Sequence, residues 1–282
     1  MTATRTLALC ADDFGLSPGV AQGIATLALA GRLNAASCLT NAAHWRDSAP
    51  RLRELPGSVE LGLHFNLSEG APLSADLRRV WPRLPALPRL IAAAHLRALP
   101  RAAVAAELAA QHDAFVDAVG RAPDFVDGHQ HVHHLPGVRE LLLAALPAFG
   151  DGVAVRNTGR VLGPGFGLKR RLIAGTGGRA LQRALRRRGI AHNPALLGVY
   201  DFAPGGYRRR MQGWLAALPP EGALLFCHPG AGDERGVDDP IAAARVAEAA
   251  YLGGDAFVDD LRAARVTLGR VWRRFSETSI RG

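Results

Sequence analysis

Apolar residues along this chain gather into short runs separated by longer amphipathic stretches. "TLALCA" (6–11), "NAASCLT" (34–40) and "SVELGLHFNL" (58–67) are compact runs bounded by turn-forming residues, the signature of buried strands. "DFVDGHQH" (124–131), "VAVRN" (153–157) and "GALLFCHPG" (222–230) extend the series. Between them the period lengthens. Ser17-Pro18 opens a helix through "GVAQGIATLALAG", and residues 101–119 read as a long helix stopped by Gly120. Residues 241–252 and 256–264 read as two late helices. Strands alternating with helices predict an α/β fold, layered or barrel. The Pro/Gly-rich stretch 71–100 reads as an inserted loop with a short helix, and the absence of repeats or linkers favours one compact domain.

Four strand candidates end in potent chemistry: Asp12 and Asp13 in "ADDFG", His64 and Asn66 in "LHFN", His129 and His131 in "DGHQH", and His228 in "CHPG". Each alone has a plainer reading. Adjacent aspartates cap helices, a histidine after "LGL" can be a core residue, and "HQHVHH" can be a surface feature. In βα folds, however, the carboxyl ends of strands converge on one face, where sites are built. If the strand persists, spacing by two puts Asp127, His129, His131 and His133 on one side. A mixed carboxylate and imidazole shell suits Zn²⁺, Mn²⁺, Co²⁺ or Fe²⁺, whereas Mg²⁺ prefers more oxygens. With Asp13, His64 and His129 as ligands, Asp12 is free to accept a proton and His228 to donate one. His131 is the rival to His129.

Charge adds a second theme. The 282-residue chain carries a formal net charge of +9, yet Lys169 is its sole lysine, so part of the excess reflects arginine usage. No Asp or Glu occurs from Gly152 to Tyr200, while "LKRRLIAGTGGRALQRALRRRG" holds eight basic residues, with Leu181, Leu185 and Ile190 between arginines. That pattern fits an amphipathic helix whose basic face is either solvated or docks on an anionic membrane or glycolipid through 169–188. Scarce aromatics argue against nucleic acid as a partner. No apolar run approaches the ~18 residues of a membrane helix, and the start is too short for a signal-peptide core, so a cytoplasmic protein is expected. Cysteines 10, 38 and 227 lie in apolar runs and read as buried hydrophobes, not a disulfide or zinc set. Self-association into a homo-oligomer stays open.

The motifs "ADDFGLSPGV", "GLHFNLSEGAPL", "DFVDGHQHVHHLPGV", "VRN" and "CHPG", in that order, resemble the YdjC-like carbohydrate deacetylases, over a core of about 5–274. The resemblance implies an irregular (β/α) barrel, similar to polysaccharide deacetylases, and hydrolysis of the N-acetyl group of an amino sugar in a glycan. It implies Asp13, His64 and His129 as metal ligands, Asp12 as general base and His228 as acid. Asn66 and Arg156 would contact substrate, and one divalent ion, Mg²⁺ or Zn²⁺, would be the cofactor. Two departures stand out: Phe65 where the family usually has leucine, and Gly128 where serine is common. The competing functions are a metal-dependent phosphoesterase, which would use the basic region for phosphate, and a non-enzymatic metal-binding protein built on the histidine run.

Overall fold

A computed structural model describes residues 4–231 and 239–275; residues 1–3, 232–238 and 276–282 of the expected single domain lie outside the described residues. Among the described residues eight strands form one sheet: β1 (Arg5–Phe14), β2 (Ala35–Cys38), β3 (Glu60–Phe65), β4 (Phe125–Gly128), β5 (Ala154–Val155), β6 (Leu196–Leu197), β7 (Ala223–Cys227) and β8 (Val266–Leu268). All strand pairs are parallel, in the order β5-β4-β3-β2-β1-β7-β6. Leu7 pairs with both Ala223 and Leu268, so β8 lies across β1 from β7, on the edge that β2 takes further along. Isolated bridges, Val155 with His192 and Val161 with Leu196, draw the short outer strands toward closure. The result is an irregular α/β half-barrel: the strand–helix alternation predicts the α/β class, and the resemblance implies the irregular barrel.

Eleven α-helices connect the described strands. They are α1 (Pro18–Leu29), α2 (Trp45–Ser48), α3 (Ala75–Val80), α4 (Leu87–His95), α5 (Arg101–Val119) and α6 (Val138–Phe149). The second half holds α7 (Gly167–Ile173), α8 (Arg179–Arg187), α9 (Tyr207–Ala217), α10 (Ala242–Gly253) and α11 (Asp255–Ala263). Local chemistry sets their ends. The Ser17 side chain accepts from Val20 N at 3.1 Å with Pro18 next, and Gly120 closes α5 at φ +79°.

Three expectations need correction. The first strand does not stop at Ala11 but runs to Phe14, because Asp12 and Asp13 find buried partners and need no water. The expected strand 124–131 ends at Gly128, and residues 129–134 coil into a turn with Gln130 and His131 at φ +51° and +63°. The two-residue alternation therefore stops at Gly128, and the histidine run does not share one strand face. The stretch 71–100 holds two helices, α3 and α4, in place of one.

Candidate active site

Strand alternation decides which side chains meet. Leu7, Leu9 and Ala11 of β1 pack into the core beneath the helices, while Ala8 and Cys10 join a second cluster with Ala35, Phe125, Ala154, Leu224 and Phe226. This second cluster is the apolar floor inside the curled sheet. One alternation step further along each strand stands a polar residue of the same parity: Asp12, Ser37, Asp127, Arg156 and His228. His64 holds the same place on β3, between the outward Leu63 and Phe65.

Asp13 breaks the alternation, and the backbone shows how. Between Ala11 and Phe14 the β1–β2 register slips, three residues of β1 spanning two of β2. Asp13 occupies the left-handed region at φ +69°. This bulge turns two consecutive aspartates into one cavity.

Each aspartate has its own arginine. Arg156, fully buried, grips Asp12 with both terminal nitrogens (2.7 and 2.6 Å) and also pairs with Asp127. Arg245 of α10 donates to Asp13 Oδ2 at 2.8 Å and to Asp239 at 2.6 Å. The other oxygen of Asp13 faces His129 Nδ1 at 3.0 Å and His64 Nε2 at 3.4 Å. Behind His64, Nδ1 lies 2.6 Å from Asp127 Oδ1, which Ser37 Oγ also contacts at 2.5 Å. Glu69 lies 3.3 Å from the Nε2 of His129.

The charges follow from these contacts. Burial alone would neutralise the Asp13 carboxyl, but Arg245 and His129 outweigh it and hold the group well below the usual carboxylate range. Burial also disfavours a charged His64, yet Asp127 and Asp12 raise that ring to about 10. Asp13 and Glu69 likewise overcome burial at His129 and raise it to about 9. His228 goes the other way. Burial drives it down to about 4 against the pull of Asp13 and Asp12, and its Nδ1 has no hydrogen-bond partner.

Ligand atoms of Asp13, His64 and His129 lie within 4.8 Å of one another. One carboxylate and two imidazoles form the donor set of an open divalent-metal centre, and Asp127 fixes the His64 tautomer from behind, as second-layer carboxylates do. The residues fit a cation. A second group, Cys10, Asp12 and Asp127, is equally close but already holds the Arg156 guanidinium.

The rest of the histidine run divides its labour. His133 Nε2 meets the Arg156 carbonyl at 2.9 Å, and His134 sits between the Thr158 and Thr176 hydroxyls at 2.8 and 3.0 Å. His131 stands apart from Asp13 and packs edge-on against Phe226, with Nδ1 unpartnered. A cavity of about 420 Å³ opens above, lined by Asp12, Asp13, His64, His129, His131 and His228, with apolar walls from Leu16, Leu87, Ile91, Leu172 and Phe202.

The two expected substrate contacts lie elsewhere than the cavity lining. Arg156 is at 0% exposure beneath the aspartates. Asn66 is buried in the loop after β3, accepting from Ser68 N and Glu69 N and donating to the Glu69 carbonyl, so it shapes the loop that presents Glu69. Sequence reasoning passed over Arg245 and Glu69. Arg245 left a signal: with Ala244, Glu248 and Leu252 it falls on the buried face of α10, where a lone Arg and Glu demand partners.

The class defined here is a parallel α/β half-barrel with Asp13, His64 and His129 grouped at the strand C-termini, close enough together that they could hold a metal ion. Within that class, the chain belongs to the YdjC-like protein family, whose model matches residues 6–263. It is 37% identical over 150 residues to a carbohydrate deacetylase of Homo sapiens, covering 51% of this chain and 46% of that one. It is 35% identical over 159 residues to a chitooligosaccharide deacetylase of Enterobacter sp. (strain 638), covering 54% and 59%. The matched stretch thus spans about half the length of these curated relatives. Among solved structures, a protein of Enterococcus faecalis V583, provisionally named for cellobiose-phosphate cleavage, superposes with a TM-score of 0.69 at 17% identity, over 95% of this chain and 98% of that one.

Proposed function

We propose that this protein removes the N-acetyl group from an amino sugar of a glycan, using one divalent cation held by Asp13, His64 and His129. The observation that carries the reading is the Asp-His-His cluster sharing one cavity with Asp12 and His228; the names of the curated relatives point the same way. Two imidazole donors favour Zn²⁺ over Mg²⁺. When bound, the cation would supply Lewis acidity for the acetamide carbonyl and the attacking water.

The chain's own residues do the rest. Asp12, held by Arg156, keeps further lone pairs on both oxygens and accepts the water's proton. The departing amine needs a proton, since an amide nitrogen does not leave as an anion at neutral pH. His228, neutral there, takes up the proton that Asp12 received from the water and passes it to the departing nitrogen, so both groups end the cycle as they began it. The apolar walls exclude bulk water and give the sugar ring a surface to lie on. A two-metal phosphoesterase is disfavoured, because the second group of potential ligands, Cys10, Asp12 and Asp127, already encloses the Arg156 guanidinium.

The test is acetate release from a panel of N-acetylated sugars, with metal content measured on the same protein. Asp12→Asn is expected to keep its metal and lose roughly 10²–10⁴-fold in rate. Asp13→Asn is expected to lose metal affinity and regain part of its activity in excess metal. Rescue of Asp12→Asn by metal, with Asp13→Asn unresponsive, would reverse the two assignments; no acetate from any sugar would end the reading.

A further inference from the structure

The segment from α7 to α8 takes no part in the proposed chemistry, yet it forms one rim of the cavity. No residue of α7 is buried: Leu168 is 73% and Leu172 56% exposed. Lys169, Leu172 and Ile173 line the cavity, as do Leu87 and Ile91 of α4. Apolar side chains thus continue from the cavity wall out onto its lip, and an exposed apolar patch beside a site marks a surface that meets something.

What it meets follows from the charge carried by the same segment. Arg179, Arg183 and Arg187 recur every four residues along α8, so their side chains are neighbours on one exposed face, while Leu181 and Leu185 are buried. With no Asp or Glu between Gly152 and Tyr200, the segment supplies no acid of its own, and none of these three arginines makes an ion pair among the described residues. Arg171, on α7, is exposed and equally unpaired. A nucleic acid would be served by the arginines but not by exposed leucines, and aromatic platforms for bases are missing here. An interfacial surface needs both, cations for lipid phosphates and aliphatic side chains for the acyl boundary.

We infer that this rim docks on an anionic lipid bilayer, with Leu168 and Leu172 entering the headgroup boundary and the α8 arginines lying against the phosphates. The cavity mouth is then held at the membrane surface. The experiment is co-flotation of the full chain with vesicles of mixed phosphatidylglycerol and phosphatidylcholine, and with phosphatidylcholine alone. The native chain floats with the anionic vesicles at low salt and is released by high salt. The triple change Arg179→Glu, Arg183→Glu, Arg187→Glu weakens that binding by at least about 100-fold, and Leu168→Asp alone by roughly 10-fold. Circular dichroism and thermal unfolding confirm that both variants fold. None of these four residues lines the cavity, so acetate release from a free sugar is unchanged, and the vesicle reading does not depend on that activity. Failure of the native chain to float with anionic vesicles overturns the inference. So does equal binding by Leu168→Asp, which would leave a general polyanion surface, or a triple variant that floats as the native chain does.

Discussion

Glu248 is a fully buried carboxyl on α10, bonded by the Tyr200 hydroxyl and by the backbone N–H of His228 at 2.5 Å. It therefore sets the position of the proposed proton donor from outside the cavity. Burial pushes its carboxyl up to about 7, although its hydrogen-bond donors and Arg245 oppose the rise. The sign of the consequence is definite. A carboxyl with a raised folded pKa stabilises the fold fully below its ordinary value of ~4.5, and that contribution is lost as pH climbs through about 7. The loss is on the order of 3 kcal/mol. Glu248→Gln mimics the protonated form, so it should match the native chain near pH 5 and exceed it in stability near pH 8. Urea unfolding at both pH values measures this. Parallel pH profiles for the two proteins would show that Glu248 is not the group responsible.

At the scale of elements, the sequence exposes parity but hides turns. The interior row could be read by counting twos from any apolar residue on the floor: Cys10 to Asp12, Phe125 to Asp127, Phe226 to His228. Long, well-capped helices such as α1 and α5 were legible from Ser17-Pro18 and Gly120. The two-residue β5 fell inside the expected strand 153–157, but β6 was not legible, because two positions in a Pro/Gly-bounded stretch establish no period. Nor was the turn after β4, which depends on a tertiary contact. A Cβ on Gly128 would sit 2.8 Å from His133 N and 2.9 Å from its Nδ1. With no Cβ, Gly128 lets the histidine run fold back against its own strand. Gly128→Ser should cost about 1–3 kcal/mol by overpacking and displace His129 from Asp13. A denaturation series with metal content on the folded variant checks it. Native stability together with native metal content would mean that the turn tolerates a side chain.

Across the whole molecule, the proposed ligands come from widely separated parts of the chain: Asp13 on β1, His64 on β3 and His129 in the turn after β4. An unfolded chain holds no such site, so a bound cation stabilises only the folded barrel, and binding energy becomes folding energy. It would tie together strands separated in the sheet by β2, whose Ser37 already joins His64 and Asp127. At a free metal concentration about 100 times the Kd, the gain is roughly 2.7 kcal/mol, which for a chain of this size is a rise of several degrees in Tm. Chelation should reverse it, and His64→Ala, which removes one of three anchors, should abolish most of the response while leaving a cooperative transition. Arg245 makes the comparison sharper. It binds the Asp13 oxygen turned away from His129, so Arg245→Met should leave Asp13 short of one partner without removing a ligand, and the metal response should persist. Scanning Zn²⁺, Mn²⁺, Co²⁺ and Mg²⁺ by calorimetry on the three proteins ranks the ions in the same experiment. A native chain indifferent to all four, or a His64→Ala chain that responds as the native one does, would remove the cation from the barrel mouth.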